Sequence, residues 1–166
     1  MIDLNVSNSP VQPQPTSPIE QGIEACRDQF NHILSEVLDS HHQEAHLVEA
    51  SIFKQLMQLG LLLLHLFFLN HQQGDYGKEL QTAQGLATRD RPSERSYFSI
   101  FGKLKVKRYL YSVGSNRFAP LDEFLNLPVR CYSYFLSERV NLLDIKDSYA
   151  RSEEHTSELQ SPVPIS

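Results

Sequence analysis

The sequence predicts an α+β fold: an N-terminal helical pair, a central β-hairpin and a C-terminal helix, set between a disordered N-terminal leader and a disordered C-terminal tail. Three observations predict it. Apolar residues recur every three or four positions over Ile19–Leu38 and again from Glu44 to His71. Ser96–Tyr111 is rich in aromatic and other strand-favouring residues and is broken by Gly102. Hydrophobic residues make up 40% of the chain and charged residues 21%, the balance of a soluble globular protein, and 166 residues hold one domain with little left over.

The chain begins "MIDLNVSNSPVQPQPTSPIE", of which residues 1–18 are the expected leader. Their Pro, Ser, Gln and Asn content reads as a disordered leader. There is no basic start and no apolar core, so it is not a signal peptide. A helical segment then covers 19–73. In its first helix Ile23, Cys26, Phe30, Ile33, Leu34, Val37 and Leu38 share one side. "DSHHQ" (Asp39–Gln43) breaks the pattern. The second helix keeps the period through Leu47, Val48, Phe53, Leu56, Met57 and Leu61, and is then apolar on every side across "LLLLHLFFL" (Leu61–Leu69). An end that is apolar all round must be covered by other protein. Counted back to Leu56 the run has 14 residues, short of the ~18 that span a membrane. It therefore predicts a buried helix and no membrane, with His65 a buried, hydrogen-bonded histidine or a bundle contact.

Residues 74–95 contain Gly and Pro without periodicity and are expected to be a loop. Residues 96–150 are expected to be the hairpin plus the last helix. Its two strands meet at Phe101–Lys103. "SVGSNRFAPLDE" is a turn-rich connection. Pro120 followed by "LDEFLNL" predicts a short helical turn closed by Pro128, with Asp122 and Glu123 placed to favour its start. The last helix is expected from Tyr132 to Ala150, with Tyr132, Phe135, Leu136, Val140, Leu143 and Ile145 on its apolar side.

The net charge of -5 excludes a chain that is basic throughout, but the charge is uneven. Residues 1–88 hold 3 Lys/Arg against 10 Asp/Glu, and residues 89–130 hold 9 against 4. That asymmetry points to an anionic partner for the second segment. In "GKLKVKRYLY" side chains alternate between faces. Lys103, Lys105, Lys107, Tyr109 and Tyr111 fall on one face, and Leu104, Val106, Arg108 and Leu110 on the other. Lysines two apart on a strand stand roughly 6.5–7 Å from one another. That is close to the phosphate spacing of one DNA strand, and the tyrosines add hydrogen bonding or stacking. The competing reading is an exposed strand whose lysines block edge-to-edge pairing.

Other chemistry is thin. Cys26 and Cys131 lie far apart with no CxxC pattern, which suits a reducing, cytoplasmic compartment. "HHQEAH" places His42 and His46 four apart, yet Gln43 stands where a zinc protease needs Glu. It reads as a polar helix start. No phosphate-binding glycine loop, nucleophile elbow or acidic triad can be assembled.

Three blocks in order carry a resemblance: "LGLLLLHLFFLNHQQGDYG" (Leu59–Gly77), "RSYFSIFGKLKVKRYLY" (Arg95–Tyr111) and "FAPLDEFLNLP" (Phe118–Pro128). The stretch from Leu56 to Ala150 resembles the N-terminal region of insertion-sequence transposases of the Kra-four family. The resemblance implies a bacterial parent that cuts and joins DNA at element ends, with acidic ligands holding Mg²⁺ in a ribonuclease-H-like domain downstream of the matched region. No position here receives those ligands, so no catalytic or metal residue and no cofactor is expected in this fragment. It implies Lys103, Lys105, Lys107 and Arg108, with Tyr109 and Tyr111 beside them, as a DNA-facing set. The expected role is a non-catalytic DNA-binding or assembly segment of a truncated transposase. A stand-alone DNA-binding module and a homo-oligomer built by the helical pair remain open. Finally, "RSEEHTSELQSPVPIS" (Arg151–Ser166) resembles a translated short-read sequencing adapter. A sample index would supply Pro162–Pro164, and the adapter resumes as Ile165–Ser166. Residues 151–166 are therefore expected to be an artefact without fold or function.

Overall fold

A computed structural model describes residues 17–145. Helix α1 spans Pro18–Asp39 and helix α2 spans Ala45–Asn70. A four-stranded antiparallel sheet follows, β1 (Glu79–Thr82), β2 (Gly85–Ser99), β3 (Gly102–Val113) and β4 (Asn116–Phe118), in the order β1-β2-β3-β4. Helix α3 spans Pro120–Phe124, and residues 134–145 are helical. Most of the expected leader, the last five residues of the expected C-terminal helix and the adapter-like segment lie outside the described residues.

The helical pair matches its expected boundaries to within two residues, and the start of α1 carries a local signal. Ser17 accepts from the Glu20 N–H and Glu20 reaches back to the Ser17 N–H, closing a capping box, with Pro18 in the first turn. Contacts of Gln29 with Gln55 and of Ser51 with Glu36 run in opposite chain directions, so α1 and α2 are antiparallel. α2 has 26 residues and a mean hydropathy of 1.7 in its most apolar window. By length and composition it could cross a membrane, which corrects the shorter estimate taken from Leu56. His65 is exposed, not buried.

The largest correction is the expected loop 74–95. Gln72–Gly74 forms a 3-10 turn, and β1 and most of β2 follow. β2 escapes recognition because Pro92 interrupts it. Pro92 is tolerated because β1 pairs only with Gly85–Thr88, leaving this stretch of β2 without a second neighbour, and because the ladder slips by one residue between Arg89 and Pro92. The central hairpin is therefore part of a larger sheet. Its turn is Ile100–Phe101, closed by the Ser99–Gly102 pair. β4 occupies the expected turn-rich connection.

The core lies between α2, β3 and α3. Phe68, Leu104, Val106 and Leu121 are buried together, with Leu61, Leu64, Tyr97, Leu125 and Leu127 packed around them. The apolar end of α2 thus covers Leu104 and Val106 as expected. Leu110 is only half-buried and stands outside this cluster.

Candidate nucleic-acid interface

The site is built on β3. Leu104 and Val106 point into the core, and the odd-numbered side chains between them turn outward. Lys103, Lys105 and Lys107 are all exposed. β2 supplies their cross-strand neighbours: Phe98 opposite Lys103, Ser96 opposite Lys105 and Glu94 opposite Lys107. Lys103 Nζ lies 5.3 Å from the centre of the Phe98 ring, and Lys105 Nζ lies 3.5 Å from Glu94 Oε2. That ion pair is solvent-exposed on both sides, so salt and a competing polyanion can displace it. Lys105 and Lys107 also line a small cleft of about 180 Å³ with His65, Phe68 and Leu104.

Two members of the expected DNA-facing set do not join the row. Arg108 lies on the core side of β3 and is bonded to Asp122 of α3, which also takes a 2.8 Å bond from Arg95. Their side chains are 13–21% exposed. Burial and the neighbouring Arg95 charge lower the Arg108 pKa. Arg95 also donates to the carbonyls of Pro128 and Arg130. Asp122 does more than favour the helix start: it ties α3 and the 128–130 segment to the sheet. Tyr111 shares the lysine face by parity but is fully buried. Its hydroxyl accepts from the Tyr76 N–H at 2.9 Å and donates to the Gly77 carbonyl at 2.8 Å. The strand-end face is capped by the 72–78 turn, so Tyr111 cannot stack on a base.

Tyr109 holds an intermediate position. The Arg89 guanidinium sits 5.1 Å from its ring centre. Arg89 also pairs with Asp75 at 2.6 Å. The Gly77 N–H and then Arg89 hold the Asp75 carboxyl below the usual carboxylate range. Tyr109, Arg89, Asp75 and Lys78 line a cleft of about 700 Å³ beside the start of α1. Sequence reasoning missed Arg89 and Asp75 because their segment looked like loop. The only local signal was the "GDYG" turn, whose Asp75 side chain accepts from the N–H two residues on.

The basic block of 89–130 is largely matched inside the fold. Five of its nine cations, Arg89, Arg95, Lys105, Arg108 and Arg117, have a carboxylate within 3.5 Å. The surface left to attract an anion comprises Lys103 and Lys107 of the row together with the exposed Arg91 and Arg130. Among the described residues, no three His, Cys, Asp or Glu side chains come together to hold a metal. The described residues thus do not fit the Mg²⁺ that the resemblance implies. No family model, curated protein or solved structure matches this chain.

Proposed function

We propose that this chain is a non-catalytic DNA-binding and assembly segment of a bacterial, cytoplasmic insertion-sequence transposase, and that it grips the backbone of element-end DNA through β3. The supporting observation is the exposed row Lys103, Lys105 and Lys107 on a strand whose opposite face is locked into the core. A rigid strand fixes the lysine spacing near that of successive phosphates. The contact is with backbone, so it positions DNA without reading sequence. Cleavage and strand transfer belong, on this reading, to the Mg²⁺-dependent acidic domain that the resemblance implies. A second reading, a stand-alone DNA-binding or helical oligomerisation module, draws on the apolar side chains exposed along α1 and α2.

The test is binding of duplex DNA over a salt series. If all three lysines engage phosphates, log K should fall against log salt with a slope of about -2.7, and the triple change to Ala should remove most of that slope. Absence of binding at low salt would sink the reading. An unchanged slope in the triple variant would move the contact elsewhere.

A further inference from the structure

We propose that the outer face of the α1–α2 pair is the interface through which two copies of this chain form a symmetric four-helix bundle. This inference does not depend on DNA binding.

The helical pair leaves large apolar side chains in water. On α1, Ile23, Phe30, Leu34 and Leu38 are 42–67% exposed; on α2, Phe53, Leu56, Leu63 and Phe67 are 47–65% exposed. Their spacing makes them stripes. Phe53, Leu56, Leu63 and Phe67 lie along one side of α2, and at Gly60, between Leu56 and Leu63, the Phe101 ring of the β2–β3 turn joins the same apolar surface. The α1 residues follow one side of their helix in the same way.

The two stripes share one side of the pair. The inter-helix seam is fixed by Gly22 against Leu66, Gln29 against Gln55 and Glu36 against Ser51. At 3.6 residues per turn, each stripe lies roughly a third of a turn from that seam, in the same rotational sense about its own chain direction. For antiparallel helices, equal rotations in that sense lead to the same side. The side of α2 that carries Leu61, Leu64 and Phe68 faces the sheet instead.

A second copy is the occupant that fits. Eight half-exposed side chains of this size offer on the order of 800 Å² of apolar area, about what one partner contributes to a stable interface. A twofold axis sets the face against itself, which suits a surface that is apolar along its centre. Arg27 interrupts the α1 stripe, and its guanidinium is held by Glu24 at 2.9 Å.

The experiment is sedimentation velocity of the full chain over a concentration series, with helicity followed by circular dichroism. The wild type should be a dimer. Phe53→Glu and Leu56→Glu should each weaken the dimer by at least about a hundredfold while keeping helicity, since both side chains are already in water in the monomer. Val129→Glu, at a fully exposed position away from the helices, should leave the dimer intact. If a Glu variant loses helicity, Leu56→Gln and Leu63→Gln replace it with the same expected loss of dimer. A wild type that stays monomeric at about 100 µM overturns the proposal, since interfaces of this area bind in the µM range or tighter. So does a dimer lost with Leu143→Glu but kept in the α2 variants, which would assign the interface to the 134–145 helix. Flotation with phosphatidylcholine vesicles in place of dimerisation overturns it in favour of a lipid-facing helix.

Discussion

Tyr111 shows how one side chain can leave its sequence-assigned role. Alternation puts it beside the lysines, yet its hydroxyl holds two backbone groups of the 72–78 turn. Removing that hydroxyl takes away both bonds, although Tyr76 and Gly77 lie in an exposed turn where water can replace part of the loss. Tyr111→Phe should therefore cost about 0.5–1.5 kcal/mol in urea unfolding. Tyr109→Phe keeps the ring over which Arg89 sits and should change stability by less than about 0.5 kcal/mol. Asp75 gives the same turn a pH dependence. Its folded pKa is depressed, so its contribution is present above the unfolded carboxylate pKa and lost as pH falls through the folded value. The stability gap between wild type and Asp75→Asn should be widest near neutrality and should close below the usual carboxylate range. A gap that persists unchanged into strong acid would show that the carboxylate charge is not what Arg89 and the Gly77 N–H engage.

Among the elements, α2 is constrained at the point where the β2–β3 turn meets it. A Cβ built at Gly60 would lie 2.4 Å from the Phe101 ring, so the glycine admits the tip of the β2–β3 turn against the helix. That contact fixes where the hairpin meets α2. Gly60→Ala should destabilise by about 1–3 kcal/mol through overpacking, despite the better helix propensity of alanine. In a Phe101→Ala background the same change should be neutral or stabilising by up to about 1 kcal/mol. Additive effects of the two changes in thermal or urea unfolding would show that the turn and the helix do not meet at this point. The turn itself depends on Gly102, which has φ +132° and closes the ladder with Ser99.

Across the whole molecule, charge and apolar surface are distributed to different ends of the problem. Three arginines of the basic segment, Arg89, Arg95 and Arg108, hold the sheet to the 72–78 turn and to α3, and the exposed lysines of β3 remain outward. The apolar excess lies on the helices. The DNA proposal predicts a salt-sensitive contact at β3, and the dimer proposal predicts a salt-insensitive one at α1–α2. Raising salt should therefore release DNA while leaving the dimer together, because apolar association is not weakened by screening. Loss of both at the same salt concentration would show that the two surfaces are not independent.

The sequence by itself determined the helical pair, the α3 start, the burial of Leu104 and Val106 and the outward lysines, since these follow from local periodicity and caps. The capping box around Ser17 and the alternation of β3 need no distant partner to be read. Only the tertiary structure decided the extent of the sheet, because Pro92 is acceptable just where β1 stops pairing, a fact that no local rule carries. It alone turned Arg108 inward to Asp122 and buried Tyr111, since both depend on groups 14 and 34 residues away. And it alone placed the apolar stripes of α1 and α2 on one side: each stripe is visible in sequence, but their shared direction follows from the seam that packs the two helices together.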